Sequence, residues 1–177
     1  MAITGKSRVK RVDPPVSGGL NHPREPLDRL DLRILDELQR QGRLTMTELG
    51  ERIGLSTSPV AERVKRLERQ GAITGYHARV NPAAVGRSLL VFVEITLSAK
   101  SPEVFEKVRR ELQHMPQVLE CHLVSGSFDY LVKARLGEMA EYRELLGAIL
   151  KRIPVPSTSN SYVVMEEVKE TTVMEVA

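Results

Sequence analysis

The polar residues best suited to chemistry are gathered on one side of the stretch 56–70. Its outer positions are Ser58, Glu62, Lys65, Arg66 and Arg69. Its apolar positions, spaced i, i+4, i+7, are Val60, Val64 and Leu67. This periodicity predicts a helix with a buried stripe and a basic outer face. Such a face suits DNA, because cations bind phosphates and short polar side chains reach base edges. An ordinary helical hairpin with a solvated basic face is the alternative.

The residues ahead of this stretch predict a second helix that would position it. Thr45 and Glu48 have the capping-box spacing, and Gly54 suits the left-handed end of a helix. Ser56 is then expected to cap the following helix, with Pro59 in its first turn. Two helices joined by a short turn are the helix-turn-helix pattern.

A third helix is expected before this pair. Asp28 is a candidate N-cap, and Asp31 lies in the first turn, where a negative charge suits the helix dipole. The apolar stripe of this helix is Leu30, Ile34, Leu35 and Leu38. The three helices are expected at 28–41, 46–53 and 57–70, and they can bury a shared core.

The second half of the sequence predicts alternating strands and helices. Strands are expected at 88–97, 118–125, 128–136 and 161–169, and helices at 102–115 and 138–153. The order β-α-β-β-α-β is the ferredoxin-like arrangement. Helices on one face of such a sheet leave the other face uncovered, and its expected apolar residues are Leu90, Phe92, Val163 and Met165. An exposed apolar sheet face predicts a dimer.

The fold class is therefore expected to be α+β, with an N-terminal three-helix (winged) helix-turn-helix domain and a C-terminal ferredoxin-like βαββαβ domain. A β-like stretch after Gly71 suggests a wing or a linker strand. The expected segments are a disordered basic tail at 1–26, the helix-turn-helix domain at 27–71, the linker strand or wing at 72–87, the ferredoxin-like domain at 88–172 and a tail at 173–177.

Composition and charge indicate where the protein is expected to act. The net charge of +3 is concentrated near the N-terminus, where residues 1–27 carry five basic and two acidic side chains. The chain shows no apolar run long enough to cross a bilayer and no signal peptide. A single cysteine fits a reducing cytoplasm. We therefore expect a cytoplasmic, nucleoid-associated protein without a membrane partner.

Enzyme and metal sites are not expected. The four histidines, His22, His77, His114 and His122, fall in separate segments without metal-ligand spacing. Cys121 is expected to be a buried small hydrophobe, in line with Leu119 and Leu123. Glu166 and Glu167 are neighbours on a predicted strand and would point to opposite faces. No catalytic residue, metal ligand or cofactor is assigned.

Several stretches together are similar to a known family. They are LDRLDLRILDELQRQGR at 27–43, GLSTSPVAERVKRLERQGAITGY at 54–76, LLVFVEITL at 89–97, ECHLVSGSFDYLVK at 120–133 and YVVMEEVKET at 162–171. The chain resembles the Lrp/AsnC family of transcription regulators over about residues 27–172. The resemblance implies binding of double-stranded DNA, of a free amino acid, and assembly into homodimers and an octamer or similar ring.

The resemblance also implies site residues. The recognition helix begins at Ser56, with base-edge contacts at Thr57, Ser58, Ala61 and Glu62 and phosphate contacts at Arg43, Arg63, Lys65 and Arg66. The effector site comprises Leu123, Val124, Ser125, Gly126, Ser127, Phe128, Asp129, Tyr130, Ser159, Ser161, Val163 and Met165. Backbone N–H groups around Gly126 suit a carboxylate, Asp129 suits an ammonium group, and Leu123, Val163 and Met165 supply an apolar wall.

The effector region departs from the family pattern in two places. Close relatives usually carry an acidic residue where Ser127 stands. They also usually have a Gly at the position of Val155 and a Thr-x-Thr element where Ser159-Asn160-Ser161 stands here.

The sequence thus predicts a DNA-binding transcriptional regulator modulated by a free L-amino acid, leucine, alanine or a similar small apolar one. The alternatives are a ligand-indifferent architectural DNA-binding protein and, with less support, a ferredoxin-like metabolite-binding enzyme.

Overall fold

The structure, a computed structural model, describes residues 26–176. The chain divides into two compact units. Of the described residues, the first unit holds 26–78 and 171–176, and the second holds 79–170. The predicted tail at 1–26 lies outside the described residues except for its last position.

The first unit contains the three predicted helices: α1, Arg29–Arg40; α2, Met46–Ile53; and α3, Thr57–Arg69. Two of the three predicted N-caps, Asp28 and Thr45, form side-chain capping hydrogen bonds, whereas Ser56 does not. Thr45 N–H donates to Glu48 Oε2 at 2.7 Å, and Glu48 N–H donates to Thr45 Oγ1 at 3.2 Å. Asp28 and Asp31 form the same reciprocal box at the start of α1, at 2.8 and 3.1 Å. These bonds satisfy N–H groups that a helix start leaves without partners.

The core of this unit is built from the apolar stripes of all three helices. Its buried members are Ile34, Leu38, Leu49, Ile53, Val60, Val64 and Leu67. The stripe predicted for 57–70 is therefore the buried side of α3. Ala72 and Ile73 pack against the same core, so this core extends past the end of α3.

Two glycines shape the turn between α2 and α3. Gly54 ends α2 with φ of +79°, a left-handed conformation that favours glycine. Gly50 lies inside α2 and was not singled out by the sequence. A Cβ at Gly50 would stand 2.5 Å from the carbonyl oxygen of Leu55. The turn can cross α2 this closely only because position 50 has no side chain.

The linker strand or wing expected at 72–87 does not form a strand. No strand is assigned within residues 72–87, and a short 3-10 helix covers Ala83–Val85. Tyr76 donates its hydroxyl hydrogen to Glu68 at 3.0 Å. Side-chain contacts of this kind, and the absence of a strand that pairs with it among the described residues, explain the difference.

The C-terminal residues of the first unit are hydrogen-bonded to α1. Gln39 of α1 donates through Nε2 to the carbonyl oxygen of Met174 and accepts from the Met174 N–H, at 3.2 and 2.8 Å. The expected tail at 173–177 is therefore hydrogen-bonded to α1 as far as Met174.

The second unit has the predicted β-α-β-β-α-β order. Its elements are β1, Leu89–Leu97; α4, Pro102–Gln113; β2, Val118–Leu123; β3, Tyr130–Leu136; α5, Met139–Arg152; and β4, Ser157–Val163. All pairs are antiparallel, and the strands lie in the order β2-β3-β1-β4. Val91, Val93 and Ile95 face the two helices in a core that contains Val108, Leu112, Leu145 and Ile149.

The last strand begins and ends earlier than predicted. The predicted range was 161–169, but β4 is Ser157–Val163. Val163 pairs with Val91 and so lies on the helix-facing side, whereas Met165 lies beyond the strand and is fully exposed. Residues 157–161 are polar, so hydrophobic alternation does not predict a strand there. They form one nevertheless, because an edge strand can be held mainly by its backbone hydrogen bonds.

The other sheet face is less open than predicted. Leu90 is buried although it lies on that face. The Val164 N–H donates to the Leu90 carbonyl at 3.0 Å, and Arg135, paired with Leu90, bonds to Glu167 and Glu170. Residues 164–170 thus shield one end of the face. Tyr162 and Glu94 remain on the exposed part, joined by a 3.0 Å hydrogen bond.

One buried carboxylate fixes the loop between β2 and β3. Asp129 Oδ2 accepts from the Leu97 N–H at 2.8 Å, and Oδ1 lies 2.8 Å from Lys100 Nζ. Burial alone would raise the pKa of Asp129, but the Leu97 N–H and Lys100 outweigh it, so the pKa lies below its usual range. The loop is thereby tied to the end of β1.

Gly50→Ala should destabilise the first unit by about 1–3 kcal/mol, because the new methyl must displace backbone. Gly147→Ala is the matched control, since a Cβ at Gly147 in α5 meets nothing within 4 Å. That change should stabilise by about 0.5–1 kcal/mol. Urea unfolding followed by circular dichroism measures both. Equal effects of the two substitutions would contradict the close approach at Gly50.

Asp129→Ala should destabilise the second unit by about 1–3 kcal/mol, because it leaves the buried Leu97 N–H without an acceptor. Asp129→Asn should cost less, since the amide oxygen can still accept. The carboxylate has a lowered pKa in the folded state, so its stabilisation is complete above the unfolded value of about 3.9 and is lost as pH falls through the folded value. Thermal unfolding from pH 7 to pH 2 should therefore show wild type and Asp129→Asn converging in acid. A difference that is constant with pH would contradict this role.

Candidate DNA-binding face and effector loop

The outer side of α3 presents a polar stripe. Ser58, Glu62, Lys65 and Arg69 are exposed and follow one another at steps of four, three and four residues. They lie opposite the buried Val60, Val64 and Leu67. The packing of α3 therefore places the side chains of Ser58, Glu62, Lys65 and Arg69 on its solvent-facing side, as its periodicity predicted.

The start of α3 adds hydroxyl groups to this stripe. Ser56 occupies the predicted N-cap position, but its side chain makes no capping hydrogen bond. Ser56, Thr57 and Ser58 are all exposed, and Ala61 is half-buried. Thr57 Oγ1 lies 3.3 Å from Thr47 Oγ1, which links α3 to α2. The N-terminal end of α3 thus presents hydroxyl groups and backbone N–H groups to a ligand.

Arg63 and Arg66 do not belong to the outer stripe. Arg63 Nη1 lies 2.6 Å from Asp28 Oδ2 and 2.8 Å from Asp31 Oδ1. Arg66 Nη2 lies 2.6 Å from Asp31 Oδ2. Both guanidinium groups, counted from the sequence as outward-facing or phosphate-binding, are directed toward α1. Arg43, in the turn before α2, is exposed as expected for a phosphate contact.

The sequence analysis missed the partner of these two arginines. Asp31 was read only as a first-turn charge, yet its side chain is 1% exposed. A buried acidic residue is uncommon unless it is paired. The sequence shows only that Asp31 lies on a helix that also supplies core residues. It does not indicate that the partners of Asp31 are Arg63 and Arg66.

The predicted effector loop follows β2. Ser125, Gly126 and Ser127 at its tip are exposed, and Val124 and Phe128 are half-buried. A Cβ at Gly126 would meet nothing within 4 Å. Tyr130, at the start of β3, is buried and donates to the Phe105 carbonyl oxygen at 3.2 Å. The loop therefore holds an accessible backbone turn on a rigid base.

The carboxylate of Asp129 forms part of that base. It was expected to be available for an ammonium group, but it is 5% exposed. Both of its oxygens already have partners within the chain, the Leu97 N–H and Lys100. In this chain its contacts hold the loop in place.

The second predicted effector stretch lies elsewhere on the sheet. Ser159, Ser161 and Val163 are on β4, whereas Leu123 is on β2, at the opposite edge. Ser161 Oγ accepts a hydrogen bond from Tyr142 of α5. Across three strand spacings of ~4.8 Å, the two edges are about 14 Å apart. One chain therefore does not bring the two halves of the predicted site together.

Other predicted features are simpler to place. Cys121 is exposed, not buried as expected, because β2 is an edge strand with little cover. Among the described residues, no group of three or more histidine, cysteine, aspartate or glutamate side chains could hold a metal ion. None of the described helices is long and apolar enough to cross a membrane.

Known proteins show the same two-part arrangement. A winged helix-turn-helix DNA-binding model matches residues 27–74, and the Lrp/AsnC ligand binding domain matches residues 90–174. The leucine-responsive regulatory protein of Serratia marcescens is 53% identical over 152 residues, which cover 86% of this chain and 93% of that protein.

Solved structures agree. A transcriptional regulator from Neisseria meningitidis in complex with L-methionine has a TM-score of 0.79 at 34% identity, covering 85% of this chain and 97% of that one. A feast or famine regulatory protein from Mycobacterium tuberculosis, complexed with L-methionine, has a TM-score of 0.78 at 32% identity, covering 86% and 100%. From both domains and from this identity, the chain belongs to the Lrp/AsnC family of DNA-binding transcriptional regulators.

Proposed function

We propose that this regulator binds double-stranded DNA through the outer face of α3 and that a free apolar L-amino acid modulates its DNA binding or assembly. The observation that carries the proposal is the match of the second unit to a ligand-binding domain whose solved relatives hold L-methionine. We place its action on the nucleoid, in the cytoplasm.

On the DNA side, α3 would enter the major groove with its N-terminal end against the bases. Thr57, Ser58, Ala61 and Glu62 are proposed to contact base edges, and Ser56 to stand at the entry. Lys65, Arg69 and Arg43 are proposed to contact phosphates, which fix the register but carry no sequence information. A dimer would read two half-sites one helical turn apart or a multiple of it.

On the effector side, the exposed turn at Gly126 is proposed to receive the carboxylate of the amino acid through backbone N–H groups. Val124 and Phe128, half-buried beside the turn, and Leu123 would contact the apolar side chain. Ser125 and Ser127 offer hydroxyls to the ammonium group. Asp129 and Tyr130 would hold the loop in the binding conformation.

A second copy of the chain is proposed to complete this site. The β2–β3 loop and the β4 residues Ser159, Ser161 and Val163 lie at opposite sheet edges of one chain. Together with Met165 they can contact one amino acid only if two chains contribute. We therefore propose a homodimer, and an octamer or similar ring, as the assemblies. The ligand would shift their balance by the difference between its affinities for the two states.

Lys65→Ala should weaken binding to all DNA sequences and reduce the slope of log affinity against log salt by about one unit. The slope falls because one fewer phosphate is neutralised and one fewer counterion is released. Lys107→Ala, at an exposed position of α4, is the matched control and should leave the slope unchanged. Fluorescence anisotropy with a mixed-sequence duplex measures both. A change in sequence preference without a change in slope would rule out a phosphate contact at Lys65.

Thermal unfolding should be shifted upward by one or more of the twenty amino acids added singly. A ligand that binds only the folded state stabilises it by about 2.7 kcal/mol at a hundredfold excess over Kd. Gly126→Ala should leave the melting temperature without ligand nearly unchanged, because its Cβ lies in open space. It should weaken the ligand by about tenfold, or about 1.4 kcal/mol, because the methyl group stands where the carboxylate approaches. If no amino acid shifts the wild type, the ligand-indifferent architectural function is favoured instead.

A further inference from the structure

Among the described residues, a charge cluster joins α1 to the inner flank of α3. It consists of Asp28, Asp31, Arg63 and Arg66. The Asp31 carboxylate stands between two guanidinium groups, at 2.8 Å from Arg63 and 2.6 Å from Arg66. The two guanidinium groups share Oδ1, which accepts from Arg66 Nη2 at 2.6 Å as well as from Arg63. Arg63 reaches Asp28 as well, at 2.6 Å.

Burial makes this cluster different from the other ion pairs of α1. The side chain of Asp31 is 1% exposed, while Asp36, paired with Arg40 at 2.9 Å, is 37% exposed. A pair in water contributes little, but removing one partner of a buried pair leaves a charge that is costly to keep unpaired. The two guanidinium groups are therefore held by Asp31 more firmly than a surface carboxylate would hold them.

The cluster sets the charge that α3 shows to solvent. Its two carboxylates and two guanidinium groups cancel. Without it, α3 would offer Arg63, Lys65, Arg66 and Arg69 to a polyanion. With it, the outer stripe offers Lys65 and Arg69 beside Glu62. Each phosphate contact adds affinity that does not depend on sequence, so a face with fewer cations discriminates better between specific and nonspecific DNA.

We propose that Asp31 is a positioning residue for DNA recognition: it withholds Arg63 and Arg66 from the phosphates and fixes the rotation of α3, so that α3 meets DNA through its outer stripe. The proposal rests on the proposed DNA-binding role of α3. Arg63 and Arg66 lie three residues apart and converge on one carboxylate, which leaves α3 little freedom to turn about its axis. A purely structural Asp31 would affect stability and would not change the number of phosphates contacted.

Asp31→Asn in the full chain tests the proposal. The amide oxygen can still accept the Asp28 N–H that Asp31 accepts at 3.1 Å, but the charge that holds the two arginines is gone. On a mixed-sequence duplex, log affinity should fall more steeply with log salt, by about 0.9 for each arginine that reaches a phosphate. The ratio of affinities for a duplex selected by the wild type and for the mixed-sequence duplex should fall.

Asp36→Asn is the matched control, because it removes the same charge from the same helix at an exposed pair. It should leave both the salt slope and the affinity ratio unchanged. If Asp31→Asn behaves like Asp36→Asn in a protein that remains folded by circular dichroism, the proposal is overturned.

Arg63→Gln tests the proposal without relying on the Asp31 variant to fold, since Arg66 still pairs with Asp31. The proposal expects the salt slope of Arg63→Gln to equal that of the wild type. A slope reduced by about one unit would show that Arg63 contacts phosphate in the complex and would overturn it. Failure of the proposed DNA-binding function looks different: then Lys65→Ala would leave the slope unchanged too, or the wild type would bind neither duplex.

Discussion

The arrangement of the DNA-binding unit depends on the ion pairs that the buried Asp31 carboxylate forms with Arg63 and Arg66. Asp31 lies in the capping box that starts α1 and at the same time pairs with two arginines of α3. One side chain therefore fixes the start of one helix and the rotation of another. The hydrophobic core alone would hold the helices together, but apolar contacts are not directional, and they would tolerate small rotations of α3. The charge cluster removes that tolerance.

In the second unit, a buried carboxylate likewise fixes the loop between β2 and β3. Asp129 is buried, and it binds a backbone N–H of β1 and the ammonium group of Lys100. The loop tip around Gly126 can then stay exposed without being loose, because its base is anchored at Asp129 and by the buried Tyr130. In both units a buried acid works through contacts within the chain. The surface offered to the ligand consists of neighbouring groups, which are the outer stripe of α3 in the first unit and the backbone and serines of the loop tip in the second. Such preorganisation lowers the entropy that is lost on binding.

The sheet explains why the regulator is proposed to act as a dimer. An antiparallel sheet of order β2-β3-β1-β4 places its first and last strands, in this spatial order, at opposite edges. Residues that the family resemblance assigns to one effector site are divided between those edges. Residues 164–170 also cover one end of the face opposite the helices, so the part left open is centred on polar and aromatic groups such as Glu94 and Tyr162. A partner would meet a mixed surface there, not the purely apolar one expected from the alternation.

Several elements follow from local physical chemistry and can be predicted from the sequence alone. The caps at Asp28 and Thr45, the left-handed glycine at Gly54 and the stripe of Val60, Val64 and Leu67 follow from spacing alone, and the structure contains each of them. The order of strands and helices, and with it the ferredoxin-like class, followed from the change of period after α3. The family resemblance assigned the DNA contacts to α3 and the effector contacts to the β2–β3 loop and the last strand, from stretches of 9 to 23 residues.

Which charges face the solvent depends on contacts that form only in the folded chain. Lys65 and Arg66 are neighbours in sequence, and the periodicity assigned both to the outer face. Nothing local indicates that Arg66 pairs with Asp31 while Lys65 stays exposed. The shift of β4 to Ser157–Val163 has the same origin, because its polar residues are held by pairing with β1 across at least sixty positions of sequence. Gly50 is required by the carbonyl oxygen of Leu55, which comes close to α2 once the following turn has formed. Asp129 is held by the Leu97 N–H and by Lys100. For Arg66, β4 and Asp129 the deciding partner lies far away in sequence, so its effect arises only when the chain has folded.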